Sequence, residues 1–320
     1  MKLMVLVFSL LFLSCQTAGA QSCGATTTIT SPMIFTGVDV LGGGAVDTTG
    51  TLSIHCTGIV GLMQVCPSFD AGTAGANGST SRQLQRVGGT EKINFQLYQD
   101  AARTVPWGSL IDTSLGTTPA IPITLVIFIG GTADVPVYAR LFPNQQTAPP
   151  GTYTSTLATN LKFGAVSALT GCNSPLLTQS QNGPSLVVQT DFPKSCLLSV
   201  QNNVNFGTAQ LLTANINAQG TLSVQCTNTT PYDIALGIGN GAGATVTARK
   251  MTGPGGAQIG YQIFRDGGRT LNWGQTVPSD TLGATGTGLV ALTPVYGRVP
   301  PQTTPGIGTY TDTLLVTLTY

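Results

Sequence analysis

Gly308-Thr309-Tyr310-Thr311-Asp312-Thr313-Leu314-Leu315-Val316-Thr317-Leu318-Thr319-Tyr320 is the stretch that decides the fold. Even positions carry Tyr310, Leu314, Val316, Leu318 and Tyr320, while odd positions carry Thr311, Thr313, Thr317 and Thr319. A period of two belongs to a strand with one buried and one wet face. Such a strand needs a neighbour on each edge and a layer beneath it, yet no sequence follows Tyr320 to supply one. The missing strand is therefore expected from another polypeptide, received in a groove that Leu314, Val316, Leu318 and Tyr320 line.

Composition sets the compartment. Lys2 begins a basic tip, Leu3 to Leu13 form an apolar run, and Ala18-Gly19-Ala20 offers a small-residue cleavage site, so residues 1–20 read as an export signal and the mature chain begins at Gln21. With Lys2 set aside, the 13 Lys and Arg residues balance the 12 Asp and Glu. Charged residues make up only 8% of the chain, against about 25% in ordinary soluble domains. That scarcity of Lys and Arg argues against nucleic acid as a partner. With Cys15 in the leader, Cys23, Cys56, Cys66, Cys172, Cys196 and Cys226 remain, and six cysteines in an exported chain read as structural disulfides. They lack CxxC or Cys/His spacing, so no metal site is expected.

The chain repeats itself. Gly50-Thr51-Leu52-Ser53-Ile54-His55-Cys56-Thr57 returns as Gly220-Thr221-Leu222-Ser223-Val224-Gln225-Cys226-Thr227. Ile93-Asn94-Phe95 to Asp100, with Arg103-Thr104 and Trp107-Gly108, returns as Ile259-Gly260-Tyr261 to Asp266, with Arg269-Thr270 and Trp273-Gly274. Val137-Tyr138-Ala139-Arg140 and Gly151-Thr152-Tyr153-Thr154 return as Val295-Tyr296-Gly297-Arg298 and Gly308-Thr309-Tyr310-Thr311. Short Thr-, Val- and Ile-rich strands separated by Gly, Pro and Asn turns predict an all-β chain of two immunoglobulin-like β-sandwich domains, over 21–190 and 191–320. An early cysteine precedes the Gly-Thr-Leu-Ser strand in each copy, which pairs Cys23 with Cys56 and Cys196 with Cys226. Cys66 and Cys172 are left, and a bond between them would tie the tail of the first copy back onto it. That tail includes Ser185 to Thr190, material with which the first copy can complete its own sheet; the second copy has no such tail and is expected to be incomplete.

Cys196, Phe206-Gly207, the Gly220 to Cys226 strand, Arg249-Lys250-Met251, Tyr261-Gln262-Ile263-Phe264, Trp273-Gly274 and Gly308 to Asp312 resemble the spore coat protein U domain, which forms subunits of archaic, Csu-type chaperone-usher pili. The second copy matches along nearly its whole length. The first lacks the Phe-Gly pair and the Arg-Lys-Met run. A divergent copy before a typical one is similar to the two-domain tip adhesin of such pili. The resemblance implies that a periplasmic pilus chaperone, and then the next pilus subunit, lends the absent strand by strand addition, with assembly through an outer-membrane usher and display at the pilus tip on the cell surface. It leaves open a shaft pilin or a spore or cyst coat protein. Only Gln21 and Ser22 precede Cys23, too few residues for a strand to lend onward.

Apolar loops of the first copy are the candidates for binding an abiotic or host surface. They are Met33, Ile34 and Phe35, for which a buried strand is the alternative reading, Leu110 and Ile111, and Ile121 and Ile123, whereas the continuous run Leu125 to Ile129 reads as a buried strand. No catalytic site is expected. His55 is the single histidine and sits in a strand, no GxSxG elbow occurs, and Gly237 to Gly243 lacks the lysine and helix of a phosphate loop, so neither enzyme chemistry nor a cofactor is called for.

Overall fold

The computed structural model describes residues 21–320 apart from Ala25, Ser79 and Ile111; the expected leader lies outside the described residues. The first unit contains β1 (Ser22–Cys23), β2 (Thr28–Ile29), β3 (Met33–Phe35), β4 (Val46–Thr57), β5 (Gly61–Phe69), β6 (Ala76–Asn77) and β7 (Ser81–Arg86). It continues with β8 (Lys92–Tyr98), β9 (Ile121–Leu125), β10 (Gly131–Leu141), β11 (Gly151–Leu157), β12 (Thr159–Ala165), β13 (Gln179–Asn182) and β14 (Leu186–Phe192). The second unit contains β15 (Cys196–Asn202), β16 (Ile216–Cys226), β17 (Pro231–Leu236), β18 (Arg249–Thr252), β19 (Gln258–Phe264), β20 (Leu282–Thr285), β21 (Ala291–Val299) and β22 (Val316–Thr319). The chain is thus all-β, in two units that each bury their own apolar core. The division expected at 190/191 falls inside β14, so the first unit runs to Phe192.

Each unit is two stacked sheets. The first has the orders β1-β4-β10-β8-β7-β11-β14-β3 and β13-β12-β5-β9; the second has β15-β16-β21-β19-β18 and β20-β17-β22. Disulfides join Cys23 to Cys56 and Cys196 to Cys226 directly across paired strands, and Cys66 to Cys172 from β5 to the segment after β12.

The repeated sequence blocks are repeated physical devices. Trp107 and Trp273 are both fully buried, and each donates its indole N–H at 2.8 Å to a carbonyl of the facing sheet, Pro67 and Ile234. Asp100 and Asp266 accept from the amide and hydroxyl of Thr104 and Thr270, closing the same turn. In that turn Arg103 and Arg269 adopt positive φ, 59° and 56°, and lay their guanidinium groups over Tyr138 and Tyr296 at 5.7 and 5.5 Å. Tyr153 and Tyr310 each donate at 2.7 Å to the carbonyl four residues upstream.

Two correspondences were hidden in the sequence. Arg82 pairs with Phe95 across β7 and β8 as Arg249 pairs with Tyr261 across β18 and β19, so the first unit keeps the arginine although it lacks the Arg-Lys-Met run. Both guanidinium groups are buried and held by carbonyls, Arg82 by those of Asp70 and Phe69, Arg249 by those of Gly237, Val246, Leu236 and Trp273. Burial brings the Arg82 guanidinium down to about 10 and lowers that of Arg249. Likewise Phe35 meets Phe95 edge-on at 6.3 Å as Phe206 meets Tyr261 at 6.1 Å. Phe35 is thus the first unit's counterpart of the Phe-Gly pair, with its glycine one residue further on at Gly37.

Replacing Trp107 or Trp273 by Phe keeps the ring but strands a buried carbonyl. Each variant should lose about 1–3 kcal/mol, read as a lower urea midpoint with an unchanged slope.

Candidate functional site: an open strand slot and an apolar hairpin

The repeat allows a position-by-position comparison of how each sandwich closes. In the first unit β14 runs antiparallel along all of β11, with Gly151 opposite Phe192, Tyr153 opposite Thr190, Ser155 opposite Val188 and Leu157 opposite Leu186. On its other edge β14 runs parallel to β3, with Val188 to Thr190 beside Met33 to Phe35. Leu186, Val188, Thr190 and Phe192 all point into the core and are buried. In the second sheet, β13 covers the outer edge of β12.

The second unit has the receiving edges and lacks both covers among the described residues. Residues 308–314 repeat β11, but they make only one bridge, Thr311 to Thr252 on the β18 side. Val204 to Phe206 stands where β3 does and belongs to no strand. No described strand lies on the outer edge of β22. Burial records the difference: Leu157, Thr159, Leu161 and Phe163 are buried, whereas their counterparts Leu314, Val316 and Leu318 are half-buried against the core and Tyr320 is 56% exposed. Complete burial would add roughly 1 kcal/mol for each of the three aliphatic side chains, about half of the value for a fully exposed one. Tyr320 lies beyond the end of β22 and lines the groove least.

Asp312 replaces Ser155 on the inner face of the slot. Ser155 Oγ accepts the Ala74 amide at 3.2 Å under the cover of β14. The Asp312 carboxylate accepts from the Asn240 amide at 2.7 Å, from the Thr313 amide at 2.8 Å and from the Tyr261 hydroxyl at 2.7 Å. Burial and then this hydrogen bond raise the Tyr261 hydroxyl far above the ordinary phenol range.

The apolar surface candidates sort differently from expectation. Met33, Phe35 and Ile123 are buried core residues, because β3 packs beside β14 and β9 pairs with β5. Ile121 and Leu110 are half-buried, Ile34 faces outward from β3, and Ile111 lies outside the described residues. The run expected to be buried is instead a hairpin tip. Leu125 ends β9 inside the core, and Val126, Ile127, Phe128 and Ile129 then project into solvent before β10, with Phe128 98% exposed. The turn closes through amides of Ile129 and Gly130 donating to the Val126 carbonyl at 3.1 and 2.8 Å. Phe128 holds a φ of 67°, where bulky side chains are rare. A protruding aromatic in a costly backbone conformation is a feature that folding alone does not call for. The β4–β5 turn reaches the same end, since Gly61 pairs with Leu125, and it exposes Ile59 and Val60. The segment after β12 starts beside Leu62, is tied down by Cys66–Cys172, and exposes Leu169 and Leu176.

The spore coat protein U domain model matches residues 10–160, within the first unit, and again 184–317, which takes in β14 and the second unit. The chain belongs to the spore coat protein U domain family. Among curated proteins, Protein U of Myxococcus xanthus is 34% identical over 128 residues, covering 37% of this chain and 71% of that protein. Among solved structures, the CsuC-CsuE chaperone-tip adhesion subunit pre-assembly complex of Acinetobacter baumannii aligns at 18% identity and a TM-score of 0.48, over 83% of this chain and 89% of that one. The CupB6 tip adhesin of Pseudomonas aeruginosa aligns at 12% identity and a TM-score of 0.37, over 93% of both chains. Among the described residues, the first domain copy carries strands over its sheet edges at β11 and β12 and the second copy does not.

Amides of residues 308–314 and of β22 should therefore exchange with deuterium at least about tenfold faster than those of β11 and β12. Equal protection in the two units would mean that the second unit needs no further strand.

Proposed function

We propose that the chain is the tip adhesin of an archaic chaperone-usher pilus, its first unit attaching bacteria to an abiotic or host surface and its second unit joining the fibre by accepting a strand. The single observation that carries the proposal is the contrast between a unit closed by its own β14 and a unit whose matching slot stands open. A closed unit can project outward, while an open one must be completed by a neighbour: a periplasmic chaperone during export, an outer-membrane usher's next subunit afterwards. Strand addition suits the slot because a main-chain ladder supplies affinity and alternate side chains supply specificity. The attachment surface is the apolar end built from Val126 to Ile129, Ile59, Val60, Leu169 and Leu176, and binding there draws on roughly 25 cal/mol per Å² of apolar area removed from water.

A shaft or coat subunit is the second reading, favoured by the match to a spore coat family. The two differ in where the protein lies: antibody labelling at one end of purified fibres fits the tip, and labelling along their length fits the shaft.

The substitutions Ile127→Asp and Phe128→Asp, together, should abolish adhesion of cells to plastic while leaving the number and length of pili unchanged, because both side chains are exposed at the hairpin tip. Normal adhesion by that variant would remove the hairpin from the proposal. By contrast, Phe35→Asp should prevent folding and lower the amount of exported protein.

A further inference from the structure

We infer that Asp312 determines which strand the second unit accepts, and in particular that it excludes the chain's own β14; the inference rests on the slot's role as a strand acceptor. The chain carries, in Leu186 to Phe192, a segment already shaped to fill such a slot, since it does so in the first unit. Every molecule of this protein therefore presents a competitor to the proper donor. The two slots differ in charge at one place: Phe95 and Ser155 stand in the first unit where Tyr261 and Asp312 stand in the second, while the other changes in the lining, Met33 to Val204, Thr159 to Val316 and Phe163 to Tyr320, bring no charge. In both, a backbone glycine packs directly against that position, Gly72 on Ser155 and Gly239 on Asp312. The residue's place is thus the same and its chemistry is not.

The register names what crosses it. Ser155 lies opposite Val188. A serine hydroxyl is neutral and, already holding the Ala74 amide, tolerates the methyl groups of valine. A carboxylate does not: three of its lone-pair directions are taken by the Asn240 and Thr313 amides and the Tyr261 hydroxyl, and water can reach the rest while the slot is open. An incoming valine would strip that water and return no hydrogen bond, which is unfavourable for a charged group. A residue with a hydroxyl donor at the same register would replace the water. The partner strand is accordingly one with apolar side chains opposite Gly308 and Leu314 and a hydroxyl side chain opposite Asp312. The same carboxylate also favours, through its charge, the buried guanidinium of Arg249; a purely structural role of that kind would lower stability without regard to which strand is bound.

The test uses the full chain with a strand appended after Tyr320 through a Gly-Ser linker as long as residues 166–185. Two appended strands are compared, the sequence of residues 186–192 and the same sequence with Ser in place of Val188, on the natural chain and on the Asp312→Ser variant, and the thermal midpoint of the second unit is read. The natural chain should melt higher with the Ser-bearing strand by about 4 °C or more, and the Asp312→Ser variant should reverse the order. Asp312→Asn, which keeps the shape without the charge, should lose the preference. Additive effects across the four combinations would overturn the inference, because a double-mutant cycle cancels any general loss of stability. If neither strand raised the midpoint in any variant, both the inference and the acceptor role beneath it would fall.

Discussion

The ladder between β11 and β14 is the interaction on which the rest of the structure depends. A sandwich has a buried middle only if each sheet edge that overlies it is occupied, and β14 occupies that edge in the first unit with Leu186, Val188 and Phe192 pressed inward. With β3 on its far side, β14 is held on both flanks. The second unit repeats the scaffold down to its tryptophan hydrogen bond, its Asp266 turn and its buried arginine, and among the described residues it lacks that ladder and the cover that β13 gives β12. An intact framework with uncovered strand edges gains buried apolar area and paired amides from any strand added there.

Closure of the first unit also frees its far end. Loops that would otherwise be recruited to cover the core are available to carry Ile59, Val60 and the Val126 to Ile129 hairpin in solvent. Cys66–Cys172 pins the third loop to β5, so that the long connection from β12 to β13 holds its shape without a core of its own. Exposed apolar side chains on a scaffold with few charges favour contact with other surfaces, and the disulfides and buried arginines keep that scaffold folded while they do so.

Much of this was legible from residues alone, for identifiable reasons. Thr and Leu alternation from Tyr310 to Tyr320 fixed which face of the last strand points inward, and the triple repeat fixed two copies of one fold, because cross-strand neighbours leave a period-two trace. The hairpin at Phe128 reads as a buried strand because nothing in Leu125 to Ile129 is a turn former; the chain turns at an aromatic with positive φ, and Gly130 and Gly131 follow as the only hint. The burial of Phe35 is hard to read because Thr36 separates it from Gly37 and disguises its kinship with Phe206-Gly207. Arg82 is invisible to the repeat since its neighbours share nothing with those of Arg249, although its carbonyl-binding task is the same. What a side chain does across a sheet leaves a trace only when the sequence around it is also kept.

Scanning calorimetry of the oxidised full-length chain, with and without an alternating apolar strand appended after Tyr320, tests the vacant strand position most directly. Two transitions are expected, of which the lower belongs to the second unit and alone moves upward when the strand is appended. One high transition that ignores the added strand would contradict the account.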